Sequence, residues 1–588
     1  MRQIDVNILM LLAAVGAVVL DRPLEAAGLL FLFSLSNTLE QLAMAKTKAA
    51  IEGLIKLRPS EATLVTQDGD ARVPVETLKI GDVVRVKPFE NVPVDGEMLS
   101  STASVDESTI TGESVPAEKG LNDKLFCGTQ NLHEMLTMCV TAPVGETTLD
   151  RVVDLVQSAQ ENKASGERVS VWFGSRYTIF VVAAFSISFV VRILLGEQVH
   201  AAAYQALVLL VALSPCALVI STPATTLSAL AWAAQNGILV RGGKFIEEVG
   251  RIDTAAFDKT GTLTAGKPRL QEVCLLADHE MSSSASGKGI PARGWIAGEE
   301  MGVGARELLR TAAAAEQYSS HPVAAAIVSS AREQGLDIPE STNQRDIPGL
   351  GVEAEVDGAF VRVGQRRIVE ESFGLLDPTM VARLSSMQTQ GMTVAVLLTG
   401  ERVAAFGVRD SPRAEAKTAV DGLVKLGVSR IMMLSGDTPE TARAVAAELG
   451  IEDVHAGLLP DQKTTYINHL VKEGQRVMMV GDGINDAPSL ASANVGVAMG
   501  GIGSDITLNA ADVVLMHDNL GRILDLVKLG RRTVSVINAN LIFASGVIVA
   551  LTLSSFLLPL PLWMAVLGHE GSTVIVLLNG LRLLQGPR

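Results

Sequence analysis

Six apolar runs most constrain how this chain folds: residues 6–20, 24–44, 177–195, 201–222, 536–558 and 562–584. Runs near twenty residues match the hydrocarbon thickness of a bilayer. In lipid the backbone must satisfy its own hydrogen bonds, so each run predicts a membrane helix. The first run is short and needs its flanks. Asp21-Arg22-Pro23 separates the first pair of runs and Pro559-Leu560-Pro561 the last pair. The opening run has no clear cleavage site and is followed at once by another, so it reads as a helix rather than a signal peptide.

Lys46, Lys48, Lys56 and Arg58 follow the second run, Arg241 and Lys244 the fourth, and Arg531 and Arg532 precede the fifth. The opposite turns carry only Arg22 and Arg192. Basic residues stay on the cytoplasmic side, which puts both soluble regions and both termini there. At 588 residues the chain is too long for one core. A net charge of −15 argues against a nucleic-acid partner. The four cysteines are scattered with no CxxC pair, so neither a disulfide scaffold nor a soluble thiolate metal domain is indicated.

The soluble regions differ in pattern. Residues 59–160 alternate apolar and polar with Gly and Pro punctuation, predicting a small β-rich domain. Its Thr111-Gly112-Glu113-Ser114 string suits a polar turn, and Glu113 also suits orienting a water. From about 245 to 530, strand-like runs alternate with Ala-rich helical stretches, predicting a doubly wound parallel sheet. Three runs end in polar turns: Asp258-Lys259-Thr260-Gly261-Thr262, Ser435-Gly436-Asp437 and Gly481-Asp482-Gly483-Ile484-Asn485-Asp486. Ligands of such sheets bind at the carboxyl ends of strands, so the three turns converge on one site. A carboxylate at a strand tip suits an in-line phosphoryl acceptor, which marks Asp258. Taken alone, Asp437 equally suits a helix N-cap.

The DKTGT, TGES and GDGIND strings, in this order, resemble those of P-type ATPases, pumps that form an aspartyl-phosphate while moving ions. The resemblance covers nearly the whole chain. It implies six membrane helices, a β-rich actuator domain, and an α/β haloacid-dehalogenase-like phosphorylation domain carrying an inserted α+β nucleotide-binding domain. The expected boundaries are 1–58 for helices one and two, 59–160 for the actuator, and 161–244 for helices three and four. Residues 245–266 and 400–530 form the phosphorylation domain, 267–399 the nucleotide domain, and 531–588 helices five and six. The resemblance implies Asp258 as the phosphorylated residue, with Thr260 and Asp437 as catalytic neighbours. It implies Glu113 aligning the hydrolytic water and Lys463 neutralising the phosphoryl group. Asp258, Thr260 and Asp482 would hold Mg2+, with Asp486 supporting them. Glu316, His321, Gly349 and Gly351 would surround the adenosine of ATP; Ser320 stands where the family usually has Glu.

Proline at 215 removes a donor and is expected to free the carbonyl of Val211 inside the fourth run. Ser214 and Cys216 flank it, offering a hydroxyl and a thiol. The sixth run carries Gly568-His569-Glu570-Gly571-Ser572-Thr573. Ionisable groups inside a membrane default to a functional reading. SPC with HEGxT resembles a subgroup of heavy-metal P-type ATPases associated with Co2+, Zn2+ and Cd2+ export. Copper pumps and the main zinc/lead pumps have two cysteines around this proline. The zinc/lead group also has a lysine in the fifth helix and an aspartate in the sixth, and this chain has neither. Ser214, Cys216, His569, Glu570 and Thr573 are the implied ligands of the transported ion.

The chain therefore reads as an ATP- and Mg2+-dependent exporter, a functional monomer in a lipid bilayer, either a bacterial plasma membrane or a plastid envelope. The sequence begins almost at a membrane helix, whereas members of the family often carry helices or a metal-binding domain upstream. Rival readings are the same pump with Cu+ or Ca2+, a metal sensor, or a membrane-anchored phosphatase of the haloacid dehalogenase type. Such phosphatases place a second Asp two residues after the nucleophile, where this chain has Thr260.

Overall fold

In a computed structural model the chain forms two compact units, Met1–Ile252 with Asn494–Arg588, and Asp253–Ala493. The residues described are 7–55, 58–66, 69–107, 116–150, 165–278, 295–297, 301–319, 321–347, 350–368, 370, 378–400, 402–483, 486–500, 511–516, 519–557 and 560–587.

The first unit holds the apolar helices. Among the described residues, four helical stretches are long and apolar enough to cross a membrane: Tyr177–Leu194, Val199–Gln235, Arg522–Leu557 and Leu562–Gln585. Ile8–Val19 and Pro23–Leu39 are shorter apolar helices. Small and branched side chains (Ala13, Val208, Val211, Ala565, Val566) fill the interior of the bundle. Larger ones (Phe180, Ile187, Ile542, Leu553) face outward. That inside-out pattern suits a lipid solvent, where van der Waals packing of small residues holds helices together. The Val199–Gln235 stretch is two helices, Val199–Ala212 and Cys216–Gln235, broken at Leu213-Ser214-Pro215.

The β-rich domain is a six-stranded antiparallel sheet. Its strand order is Gly69–Pro74, Glu61–Thr66, Val83–Val86, Leu136–Ala142, Asp95–Met98, Lys124–Leu125. A three-stranded sheet centred on Thr102–Asp106 accompanies it. Alternate residues such as Val84, Val86, Leu136, Met138 and Val140 face one core, as the period-two pattern requires.

In the second unit the strand Thr254–Asp258 lies between Arg430–Leu434 and Val477–Gly481, all parallel, with Asp453–His455 outside Arg430–Leu434. Every residue of Thr254–Asp258 and of Val477–Gly481 is buried. This continuous burial is the mark of a parallel sheet covered on both faces. Between the first two of these strands the chain inserts a seven-stranded sheet. Its order is Trp295–Ile296, Arg269–Asp278, Arg402–Arg409, Thr393–Thr399, Ala359–Gly364, Gly351–Val356, Ser341–Ile347. Its core also takes in the helices Val303–Glu316 and Pro322–Glu333. The sheet runs past the expected boundary at 399. Thr399 pairs with Arg402 and Thr393 with Val408, so the last strand is the return arm of a hairpin. The hairpin turn holds Gly400 at φ +54°.

Candidate functional site

Asp258 is the last residue of its strand, and Lys259–Leu263 turns sharply away from it. Gly261 makes the turn at φ +71°, a left-handed conformation that glycine adopts without steric cost. The segment Asp410–Arg413 holds the loop. Arg413 donates to Thr262 O at 2.9 Å and Gly261 O at 3.0 Å, and Thr264 donates to Asp410 Oδ2 at 2.5 Å.

Lys463, near the start of the Pro460–Lys472 helix, reaches the strand tip. Its Nζ donates to Asp258 Oδ1 at 2.5 Å and to Asp486 Oδ1 at 2.8 Å, all three side chains being buried. Asp482 follows the Val477–Gly481 strand, and a Cβ built on Gly261 would lie 3.9 Å from its Oδ2. Burial, and next the charge of Asp486, push the Asp258 carboxyl up to about 7 against the pull of Lys463. Burial raises Asp486 as well. Lys463 also rises, because its two carboxylates outweigh its desolvation.

Two carboxylates thus share one ammonium, with the Asp482 charge close enough to act on both of them. An all-oxygen, negatively charged corner fits Mg2+, which takes a few carboxylates and completes its shell with phosphate and water. Asp258 and Asp482 are the carboxylates that would hold it.

Asp437 is not the N-cap of the following helix. Thr438 occupies that position, and the Asp437 carboxylate pairs with Lys259. Thr260, where a phosphatase would place its second acid, is exposed. Glu113 and the TGES loop lie outside the described residues, as do Ser320 and Gly349.

In the inserted domain Glu316, His321, Asp346, Leu350, Gly351 and Gly364 line one cavity of about 560 Å³. Gly351 has to be glycine: its φ is +149°, and a Cβ there would meet Val363 O at 2.1 Å. His321 caps the Pro322–Glu333 helix, its Nδ1 accepting from Val323 N at 3.2 Å. Glu316 Oε2 is buried without a hydrogen-bond partner among the described residues. Burial, with the neighbouring Asp346 charge, pushes its carboxyl up to about 7 against a hydrogen bond from Ser319.

In the bundle, Val211 O is not freed by Pro215. It accepts from Ser214 N at 3.1 Å, because the chain tightens into a shorter turn before the break. Ser214 Oγ and Cys216 Sγ lie 3.3 Å apart across the break. The helices Cys216–Gln235 and Leu562–Leu581 pack together: Ala217 clusters with Val576, and Ala224 with Leu577. His569 and Glu570 are buried, with Nε2 and Oε1 3.9 Å apart, and Thr573 donates to His569 O at 3.3 Å. Among the described residues no three His, Cys, Asp or Glu side chains close into one metal cluster.

Sequence reasoning missed Lys259 as the partner of Asp437, Asp410 and Arg413 as the brace of the loop, and Asp346 in the cavity. The string Asp410-Ser411-Pro412-Arg413 after a strand is a turn signal that marks the brace. Nothing local marks the other two.

The P-type ATPase actuator domain model matches residues 56–157, and the haloacid dehalogenase-like hydrolase model matches residues 252–494. The chain is 37% identical over 586 residues to a zinc-transporting ATPase of Bacillus subtilis, covering 99% of this chain and 88% of that one. It is 37% identical over 585 residues to a probable cobalt/nickel-exporting P-type ATPase of Mycobacterium tuberculosis (99% and 84% covered). It is 34% identical over 592 residues to a probable cadmium-transporting ATPase of Staphylococcus aureus (99% and 78% covered). A crystal structure of a zinc-transporting PIB-type ATPase in the E2.Pi state superposes with a TM-score of 0.62. That protein is 35% identical, with 98% of this chain and 90% of that one covered.

Proposed function

Because the chain belongs to the heavy-metal P-type ATPases, integral membrane proteins that couple ATP hydrolysis to metal export, we propose that it exports Zn2+, Co2+ or Cd2+ through an aspartyl-phosphate on Asp258. The carrying observation is the buried Asp258–Lys463–Asp486 cluster at the strand tip. Relatives named for zinc, cobalt/nickel and cadmium support the divalent reading. So does the replacement of one of the paired cysteines by Ser214, since a single thiolate with N and O donors suits borderline divalent ions.

On this reading Asp258 attacks the γ-phosphorus of ATP bound in the Glu316–His321 cavity, and ADP leaves. Lys463 sets a fixed positive charge beside the oxygens that gain charge in transfer. Mg2+, when bound, supplies further neutralisation of the phosphates. Arg413 and Asp410 hold the loop so that the attacking oxygen keeps its line. Thr260 supplies no proton-transfer group, so the acyl-phosphate persists until Glu113 of the β-rich domain brings water to it. Six helices span the membrane, of a bacterial cell by default. Cys216, His569 and Glu570 bind the exported ion beside the break, with Ser214 and Thr573 completing the set. Phosphorylation switches export only because the two states bind the ion with different affinity.

The test is capture of 32P from γ-labelled ATP. Wild type should hold label that is acid-stable and released by hydroxylamine, with the divalent ion stimulating turnover, and Asp258→Asn should hold none. Label retained by Asp258→Asn would overturn the assignment.

A further inference from the structure

The β-rich domain hangs in the chain by two tethers. In sequence, one lies between the helix Pro23–Ile55 and the strand Glu61–Thr66, and the other between the strand Leu136–Ala142 and the helix Ser165–Leu194. Arg58 sits in the first tether and Asp150 at the head of the second. They meet 2.8 Å apart, each side chain 22% exposed. Asp150 is itself held in place. Its Oδ2 accepts from Gly145 N at 2.7 Å and Thr147 Oγ1 at 2.6 Å. One step further in, the buried Asp95 accepts from Thr148 N at 2.6 Å and Cys127 N at 2.8 Å, which nails the second tether to the core of the domain. Hydrogen bonds from Thr147 and Gly145, with the Arg58 charge, outweigh the cost of burial and hold the Asp150 carboxyl below the usual range.

We propose that Arg58 and Asp150 form a positioning clamp that joins the two tethers, so that movement of the β-rich domain is passed to the helices on both sides as one displacement. Neither residue touches nucleotide or metal, so the clamp acts on the domain movement and not on phosphoryl transfer. Without it, each tether takes up slack on its own, and the domain reaches the phosphorylated Asp258 less often. A partly buried pair with fixed geometry lies at the upper end of what ion pairs contribute, which corresponds to about a fivefold effect on the rate it governs.

The inference rests on the pump reading, and two measurements keep their failures apart. Labelling by ATP tests the pump, and decay of the label after a chase with cold ATP tests the clamp. Arg58→Ala and Asp150→Asn should label to the wild-type level but lose label about fivefold more slowly. Arg58→Lys, which keeps a positive charge beside Asp150 and leaves its other partners in place, should recover most of the wild-type decay rate, which a merely structural role would not produce. Asp150→Asn keeps the shape and most of the hydrogen bonds, so it remains informative if Arg58→Ala does not fold. Wild-type decay in Asp150→Asn overturns the clamp, as does an Arg58→Lys variant that labels normally yet decays no faster than Arg58→Ala.

Discussion

The Lys463 ammonium lies 2.5 Å from a carboxylate oxygen of Asp258, 205 residues away in sequence, and bridges it to Asp486. Without the lysine, two buried carboxylates would face each other with nothing between them. Lys463→Met should therefore lower ATP hydrolysis by about 10²–10³-fold, the usual loss when a fixed charge at a reacting oxygen is removed. Binding of ATP in the Glu316 cavity should change little. Steady-state kinetics with a nucleotide-binding titration separates the two.

The elevated Asp258 pKa predicts a pH-dependent stability. The carboxyl rises from its ordinary value of 3.8 to about 7 on folding. The folded state therefore binds the proton more tightly, and this group's contribution to stability falls as pH rises from about 4 to about 7. Asp258→Asn, which carries no charge at any pH, should unfold at a higher temperature than wild type at pH 8 without Mg2+. The advantage should shrink toward pH 5. Thermal unfolding across that range reads it, and a pH-independent difference would contradict it.

Glu316 predicts a second pH effect, on nucleotide affinity. Its carboxyl, pushed up to about 7, is half ionised near neutrality. An amine donor on a bound base prefers the ionised acceptor, so binding favours loss of the proton. ATP affinity should rise as pH increases through about 7 and flatten above it. Glu316→Gln should remove the slope, and Glu316→Ala should weaken binding about tenfold, as for loss of a hydrogen bond to a charged group. Calorimetry at three pH values is sufficient.

Cys216 and Ser214 should affect the ion and not the nucleotide. Cys216→Ala should abolish stimulation of ATP hydrolysis by Zn2+, Co2+ and Cd2+. Ser214→Ala, which removes the hydroxyl 3.3 Å from the sulfur, should weaken metal affinity by about 10–100-fold, the range for loss of a ligand's supporting partner. The KM for ATP should stay within about twofold in both, as expected for sites with no shared partner.

Gly250 and Gly530 predict a packing effect. A Cβ on Gly250 would lie 2.4 Å from Gly530 O, where the end of the Gly243–Val249 helix meets the Arg522–Leu557 helix. Gly250→Ala should cost about 1–3 kcal/mol through overpacking. A lower unfolding temperature with unchanged ATP affinity is the expected signature.

The sequence by itself determined the elements that repeat a physical pattern. Long apolar runs require membrane helices because lipid offers the backbone no partners. The β-rich domain follows from period-two alternation, and strand tips loaded with Asp converge on one corner because parallel sheets expose their carboxyl ends together. Tertiary structure alone decided which charges meet. Lys259 with Asp437, Lys463 with both Asp258 and Asp486, and Arg58 with Asp150 are partners separated by 178, 205, 23 and 92 residues. Local pattern is set by bonds along the chain and is written in neighbouring residues. Pairing of distant charges depends on how sheets and loops stack, and on burial that raises or lowers each group, which no stretch of neighbouring residues encodes.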